Sequence, residues 1–188
     1  MARADGIGEV DLTGGTYTVK ESLVRDHYRV YDSDGELVLE ADRRELRAQQ
    51  EFHFRDTDGN VAFSVQEGNV DGDFFIVPPD TDRPLVILER DSALLRQEWN
   101  VRHGSNERLL ATIEARETML EFFRYYVPMM GVLPHTYTIE NTDGEELGKL
   151  SGQYTLSDSY ELDVETAADT ARESRVAAAL SIDALDVN

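Results

Sequence analysis

Three acidic clusters are the first residues in this chain whose types and spacing could do chemistry. Each follows the pattern D/N-x-D-G, as in the stretch VYDSDGELV, and carries enough oxygen atoms to suggest a calcium loop. An EF-hand loop has oxygen ligands at both its first and its last position, with a glycine in its middle. When the Asp-Gly pairs are aligned with that glycine, the first and last positions are apolar in every copy: Val30 and Ala41, Phe54 and Val65, Ile139 and Leu150. The sequence therefore excludes EF-hands at these clusters.

The same clusters fit β-hairpin turns. A short Asp or Asn side chain at the first position accepts hydrogen bonds from backbone N–H groups, and glycine suits a position with positive φ. Apolar residues alternate before each cluster and resume clearly after the first two. The sequence thus predicts three hairpins, and a weak surface cation site at one tip is the remaining alternative. The turn residues are Asp32, Asp34, Gly35, Asp56, Asp58, Gly59, Asn141, Asp143 and Gly144.

The histidines are the other residues that could do acid–base or metal chemistry. They are far apart and show no HxH, HExxH or HxxE spacing: His27, His53, His103 and His135. No serine lies in a G-x-S-x-G elbow, no P-loop or dinucleotide fingerprint is present, and the chain has no cysteine. We therefore predict no catalytic residue, cofactor or metal ligand. Two histidines that folding brings together would be the exception.

The charge balance is the strongest global signal. The 188 residues include 38 acidic and 18 basic ones, for a net charge of −20, and only Lys20 and Lys149 are lysines. Such a chain repels phosphate backbones, so no nucleic-acid partner is expected. Acidic residues along the whole chain, with arginine favoured over lysine, are typical of proteins from a high-salt cytoplasm, where screening makes the self-repulsion tolerable. No apolar run reaches the roughly 18 residues of a membrane span, which predicts a cytoplasmic location.

The elements that must carry these residues are mostly strands. Period-two alternation recurs along the chain between turn signals, which predicts an antiparallel sandwich or barrel. We expect a flexible segment over residues 1–15 and a single domain over 16–188.

Residues 116–134 interrupt the strand pattern. Apolar side chains at helical spacing predict a short helix over 117–126, which ends before Pro128. One interpretation is that this segment covers or fills the core. The alternative is an exposed patch over 119–133 for a protein partner or a lipid, with a protein peripheral to the membrane. The residues of that patch are Phe122, Phe123, Tyr125, Tyr126, Met129 and Met130.

The C-terminal segment predicts a helix over about 170–185. From residue 176 it is apolar on nearly every side, so it must be buried on several sides, and it is too short to span a bilayer. Its many small side chains allow the surrounding strands to pack closely against the helix. A helix threaded through a β-barrel satisfies both conditions, with these central residues: Val176, Ala179, Leu180, Ile182 and Leu185.

Three stretches resemble the LURP-one-related family, which belongs to the tubby C-terminal-like barrels and is distantly similar to phospholipid scramblases. They are 28–35 (YRVYDSDG), 157–164 (SDSYELDV) and 175–185 (RVAAALSIDAL). The resemblance covers roughly residues 16 to 186, whereas residues 116–134 fit the family pattern poorly. It implies a closed barrel of about twelve strands around a C-terminal helix, and no established enzyme activity.

The resemblance also suggests two ligands, phosphoinositides and calcium. Tubby domains bind phosphoinositides through basic clusters, but here Arg43, Arg44 and Arg47 alternate with acidic residues, which argues against that ligand. Scramblases are linked to calcium, and the only candidates here, Asp158, Glu161 and Asp163, are more simply a solvated strand face. The leading hypothesis is therefore a non-enzymatic binding or scaffold module. The alternatives are a scramblase-like, lipid-associated protein that uses residues 119–133, and an uncharacterised enzyme.

Overall fold

The computed structural model describes residue 7 and residues 10–22, 27–42, 51–68, 72–91, 98–115, 136–153, 159–164 and 172–186. Within these residues the chain forms twelve strands and a C-terminal helix, α1 (Arg172–Asp186). The strands are β1 (Thr16–Ser22), β2 (His27–Tyr31), β3 (Leu37–Asp42), β4 (Glu51–Arg55), β5 (Val61–Glu67), β6 (Asp73–Val77), β7 (Val86–Asp91), β8 (Glu98–His103), β9 (Leu109–Ala115), β10 (Thr136–Glu140), β11 (Glu146–Gln153) and β12 (Ser159–Val164).

The strands form one closed antiparallel barrel in simple meander order. Each strand pairs with its neighbours in the sequence, and β1 also pairs with β12, from Thr16 opposite Asp163 to Lys20 opposite Ser159. Closure removes the free sheet edges on which other chains could pair. The predicted fold class, a closed barrel with a C-terminal helix, is confirmed.

Alternate strand positions fill the interior. In β4, Phe52 and Phe54 are buried, whereas the residues between and beside them are partly exposed. The Phe54 ring stacks on Phe63 of β5 at 4.5 Å between centroids and meets the edge of Tyr28 of β2 at 6.0 Å. Repeated around the barrel, this alternation gives one continuous apolar core.

Helix α1 belongs to that core. Residues 176–182 are each at most 1% exposed, and the helix packs against β7, β8 and β9. Its one polar residue within that stretch, Ser181, donates its hydroxyl to the Ala177 carbonyl at 2.7 Å, so no polar group is left unsatisfied there. This helix, the only one among the described residues, lacks the length and apolar character needed to cross a membrane.

Part of the N-terminal segment packs into the barrel. Ile7 and Leu12 are 0% exposed and lie in the core, and Val10 packs against it. That residues 1–15 form a flexible segment stays a prediction. The described part of this segment, Ile7 and residues 10–15, is called the strap below.

Strand direction places the strap and the predicted turns together. Because neighbouring strands are antiparallel, the connections that follow β2, β4, β6, β8 and β10 all lie at one end of the barrel. Strand β1 begins and β12 ends at that same end, so the strap and the start of α1 lie there as well. We call it the turn end.

Candidate functional site

The first D-x-D-G cluster forms a tight turn between β2 and β3. Oδ1 of Asp32 accepts the backbone N–H groups of Asp34 and Glu36, both at 2.9 Å. The Gly35 N–H donates to the Asp32 carbonyl at 3.1 Å, and Gly35 has a φ of 83°, which favours glycine. The carboxylate therefore closes the turn itself.

The other two clusters repeat this geometry. Asp56 Oδ1 accepts the N–H groups of Asp58 and Asn60 at 2.9 and 2.8 Å, between β4 and β5. Asn141 Oδ1 does the same for Asp143 and Glu145, at 2.9 Å each, between β10 and β11. An oxygen that already accepts two N–H groups is a poor cation ligand, and an amide replaces a carboxylate in the third copy without loss of the turn. Within the described ranges, no group of three or more His, Asp or Glu side chains could hold a metal ion.

The hydrogen bonds of the second turn also lower the pKa of the Asp56 carboxyl group. Although desolvation acts to raise the pKa of Asp56, hydrogen bonds from the Asn60 side chain and from the backbone N–H groups of the turn together hold it below the ordinary value of 3.8. A carboxyl group whose folded-state pKa is lowered contributes stability above its unfolded-state pKa. That contribution is lost as the pH falls through the folded-state value.

Replacing Asp56 separates the roles of charge and of turn geometry. At pH 7 we expect Asp56→Ala to lower the melting temperature, because two backbone N–H groups lose their acceptor. Asp56→Asn should lower it less, because the asparagine at position 141 supports the same turn in the third copy. As the pH falls from the ordinary value of 3.8 toward the lower folded-state pKa of Asp56, the difference between wild type and Asp56→Ala should shrink. Thermal unfolding followed by circular dichroism from pH 7 to pH 3 measures both effects. Equal losses in the two variants would contradict the turn account.

The turn end is strongly anionic. The acidic side chains of its connections and strap are Asp11, Asp32, Asp34, Glu36, Asp56, Asp58, Asp80, Asp82, Glu107, Asp143 and Glu145, and nearly all are exposed. Among the described residues of the same connections, the exposed basic side chains are Arg83 and Arg108. This excess repels phosphate groups and other anions from the end of the barrel at low ionic strength.

At the mouth of this end, buried polar groups tie the strap to the helix. Arg172, the first residue of α1, is only 7% exposed and donates from Nη2 to the Gly14 carbonyl at 2.5 Å. Tyr17, 1% exposed, lies beside both residues; burial raises the pKa of its hydroxyl, while the nearby Gly14 backbone and the charge of Arg172 oppose that rise. Sequence reasoning did not single out these residues, because the Arg172–Gly14 bond joins residues 158 positions apart and no local pattern marks it.

The described histidines do not converge. His27, His53 and His103 lie on the non-adjacent strands β2, β4 and β8. His53 Nδ1 is 3.9 Å from Glu51 Oε1, which is too far for a hydrogen bond. His103 Nδ1 accepts the Ser105 backbone N–H at 3.1 Å and lies 3.1 Å from its hydroxyl, an arrangement that stabilises the β8–β9 turn.

Several predicted residues lie outside the described part of the chain. They are the helix predicted over 117–126, all six residues of the proposed partner or lipid patch between 122 and 130, and His135 and Asp158. Of the scramblase-like acids, Glu161 and Asp163 lie on β12, where Asp163 Oδ1 accepts the Thr16 hydroxyl at 3.0 Å. Of the central-helix residues, Val176, Ala179, Leu180 and Ile182 are at most 1% exposed, and Leu185 is 6% exposed.

Comparisons with known proteins agree with this architecture. No curated protein sequence matches the chain. Among solved structures, the X-ray structure of a protein from Arabidopsis thaliana superposes with a TM-score of 0.59 over 97% of this chain and 99% of that one. At 13% identity this likeness shows a shared fold. The sequence model of the LURP-one-related family matches residues 16–180, which include all twelve strands and most of the helix, and the chain therefore belongs to the LURP-one-related family.

Proposed function

We propose that this protein is a non-enzymatic binding or scaffold module that works in a high-salt cytoplasm. The observation that carries the proposal is the filled interior. Barrels that carry a small molecule inside them keep a cavity for it, whereas here α1 occupies the axis and its residues 176–182 are at most 1% exposed. Binding is then left to the outer wall and the two ends.

The enzyme alternative has less support. The LURP-one-related family is not known as a family of enzymes. The described histidines sit on separate strands, and His53 Nδ1 lies 3.9 Å from Glu51 Oε1 on the outer wall. General acid–base catalysis needs such groups within hydrogen-bond reach of a bound substrate.

The high-salt part of the proposal rests on charge. A net charge of −20 destabilises a compact chain through self-repulsion, and the anionic turn end concentrates part of that charge. The Debye length falls from about 10 Å at 0.1 M salt to about 3 Å at 1 M, so salt removes most of the repulsion. We expect the melting temperature to rise between 0.1 and 3 M KCl. Thermal scans that give one value across this range would contradict the high-salt assignment.

The binding-module proposal is tested by probing the interior and the lipid alternative together. The protein in 3 M KCl is titrated with a long-chain fatty acid while Trp99 fluorescence is recorded, and is separately co-sedimented with neutral and anionic vesicles. We expect no saturable change in the emission of Trp99, which is fully buried, and no protein in the vesicle pellet. Stoichiometric fatty-acid binding would show an interior compartment and overturn the proposal. Sedimentation with vesicles would favour the lipid-associated alternative instead.

A further inference from the structure

The strap at the turn end is held in an unusual way. Its two fully buried side chains, Ile7 and Leu12, are part of the barrel core, and the partly buried Val10 packs against it. Thr13 and Asp11 are exposed and bond to each other, with the Thr13 N–H 2.9 Å from Asp11 Oδ1. The strap therefore presents one apolar side to the barrel mouth and one polar side to solvent, as a bound peptide does.

Among the described residues, few backbone hydrogen bonds join the strap to the barrel. The Val164 N–H donates to the Gly15 carbonyl at 2.8 Å, which extends the β1–β12 ladder by one bond. Beyond that point, no backbone hydrogen bond connects Ile7, Val10 or Leu12 to another described residue. A segment held by side chains and not by a ladder opens locally at a lower cost than a strand does.

The polar anchor of the strap is Arg172. Its guanidinium donates to the Gly14 carbonyl at 2.5 Å, and it is buried at the N-terminus of α1, where the helix dipole disfavours a positive charge. Its Nε is buried as well and has no hydrogen-bond partner. Among the described residues, the Gly14 carbonyl accepts a hydrogen bond from this buried charge, so the strap and the helix stabilise each other.

We propose that the strap is a detachable peptide ligand of the barrel mouth, bound in cis, and that the site beneath it takes an extended apolar peptide when the strap opens. The site holds two apolar side chains five positions apart and a backbone carbonyl on Arg172. A peptide segment of a partner protein with the same chemistry competes with the strap. This inference goes beyond the proposed binding role. If it fails, binding at the outer wall is unaffected.

The reactivity of a thiol placed in the strap tests detachment in the full-length protein. The chain has no cysteine, and Leu12→Cys places one thiol at a position that is 0% exposed. We expect this thiol to react with a small disulfide reagent through a local opening whose rate hardly changes with sub-denaturing guanidinium, and the thiol of Ser181→Cys on α1 to react only by global unfolding. Adding Arg172→Gln should speed the reaction at position 12 about ten- to hundredfold, because it removes a charge-assisted hydrogen bond, and adding Arg29→Gln, an exposed arginine on β2, should leave it unchanged. If the thiols at positions 12 and 181 share one opening free energy and one denaturant dependence, the strap is not detachable.

A peptide in trans tests the site. The probe is a fluorescent peptide with the sequence of residues 1–15, titrated into wild type and into full-length Leu12→Ser. We expect saturable binding to Leu12→Ser and at least tenfold weaker binding to wild type, where the strap competes at high effective concentration. If Leu12→Ser does not unfold cooperatively, Ile7→Ser replaces it. A cooperatively folded variant that binds no peptide would overturn the site.

Discussion

Removal of residues 172–188 is expected to abolish the cooperatively folded barrel. Full burial of a Val, Leu or Ile side chain stabilises a protein by about 1.5–3 kcal/mol, and α1 buries Val176, Leu180, Ile182 and Leu185 together with three alanines. The sum approaches the entire 5–15 kcal/mol net stability of a typical domain. Without the helix, the inward apolar side chains of all twelve strands would line an empty channel.

Near-ultraviolet circular dichroism and the unfolding transition in 3 M KCl measure this effect. The truncated chain should show no cooperative transition, whereas full-length Leu180→Ala should keep one with a loss of about 2–5 kcal/mol. Glu173→Gln, at a partly exposed position in the first turn of the same helix, serves as the control and should change little. A truncated chain that melts cooperatively near the wild-type temperature would mean that the barrel stands without its helix.

Gly104→Ala is expected to be the most damaging single substitution in the turns. A Cβ at residue 104 would lie 1.9 Å from the Pro84 carbonyl oxygen and 2.5 Å from its carbon, both of them backbone atoms with little freedom to move. The Gly104 N–H also donates to the Leu85 carbonyl at 2.8 Å, so the β8–β9 turn is docked on the connection between β6 and β7. The clash can be relieved only if that contact breaks. Overpacking typically lowers the free energy of unfolding by roughly 1–3 kcal/mol, and we expect Gly104→Ala to lower it by at least the upper end of that range.

Gly35→Ala is the matched control for Gly104→Ala. Gly35 has a φ of 83° but nothing within 4 Å of its added Cβ, so its substitution costs only about 1–2 kcal/mol of backbone strain. Chemical denaturation of the two variants gives both values on one scale. If Gly35→Ala is the more damaging of the two, backbone conformation and not close packing limits the turns.

The parts of the fold that the sequence predicts are those governed by local chemistry. The D-x-D-G turns follow from side-chain acceptors within four residues of their donors, as the identical bonding of Asp32, Asp56 and Asn141 shows. The enclosed helix follows from its all-round apolar surface, which admits few environments.

The strap and its anchor could not be predicted in the same way. Ile7, Val10 and Leu12 are separated by glycine and acidic residues, and their burial depends on a barrel mouth built by β1, β12 and α1. The Arg172–Gly14 bond joins residues 158 positions apart, and no local pattern marks it. The gathering of acidic connections at one end likewise depends on strand order and direction.

The enclosure of α1 is the central claim, and the reactivity of a single thiol tests it most directly. The chain has no cysteine, so Ser181→Cys places one thiol at a position that is 0% exposed on the helix, and Ser33→Cys places one in the exposed β2–β3 turn. Both are near-isosteric changes. In 3 M KCl we expect the thiol at position 181 to react with a small disulfide reagent more than about a thousandfold more slowly than the one at position 33, because it is reached only by global unfolding. Comparable rates at the two positions would show that the helix is open to solvent and would contradict the account.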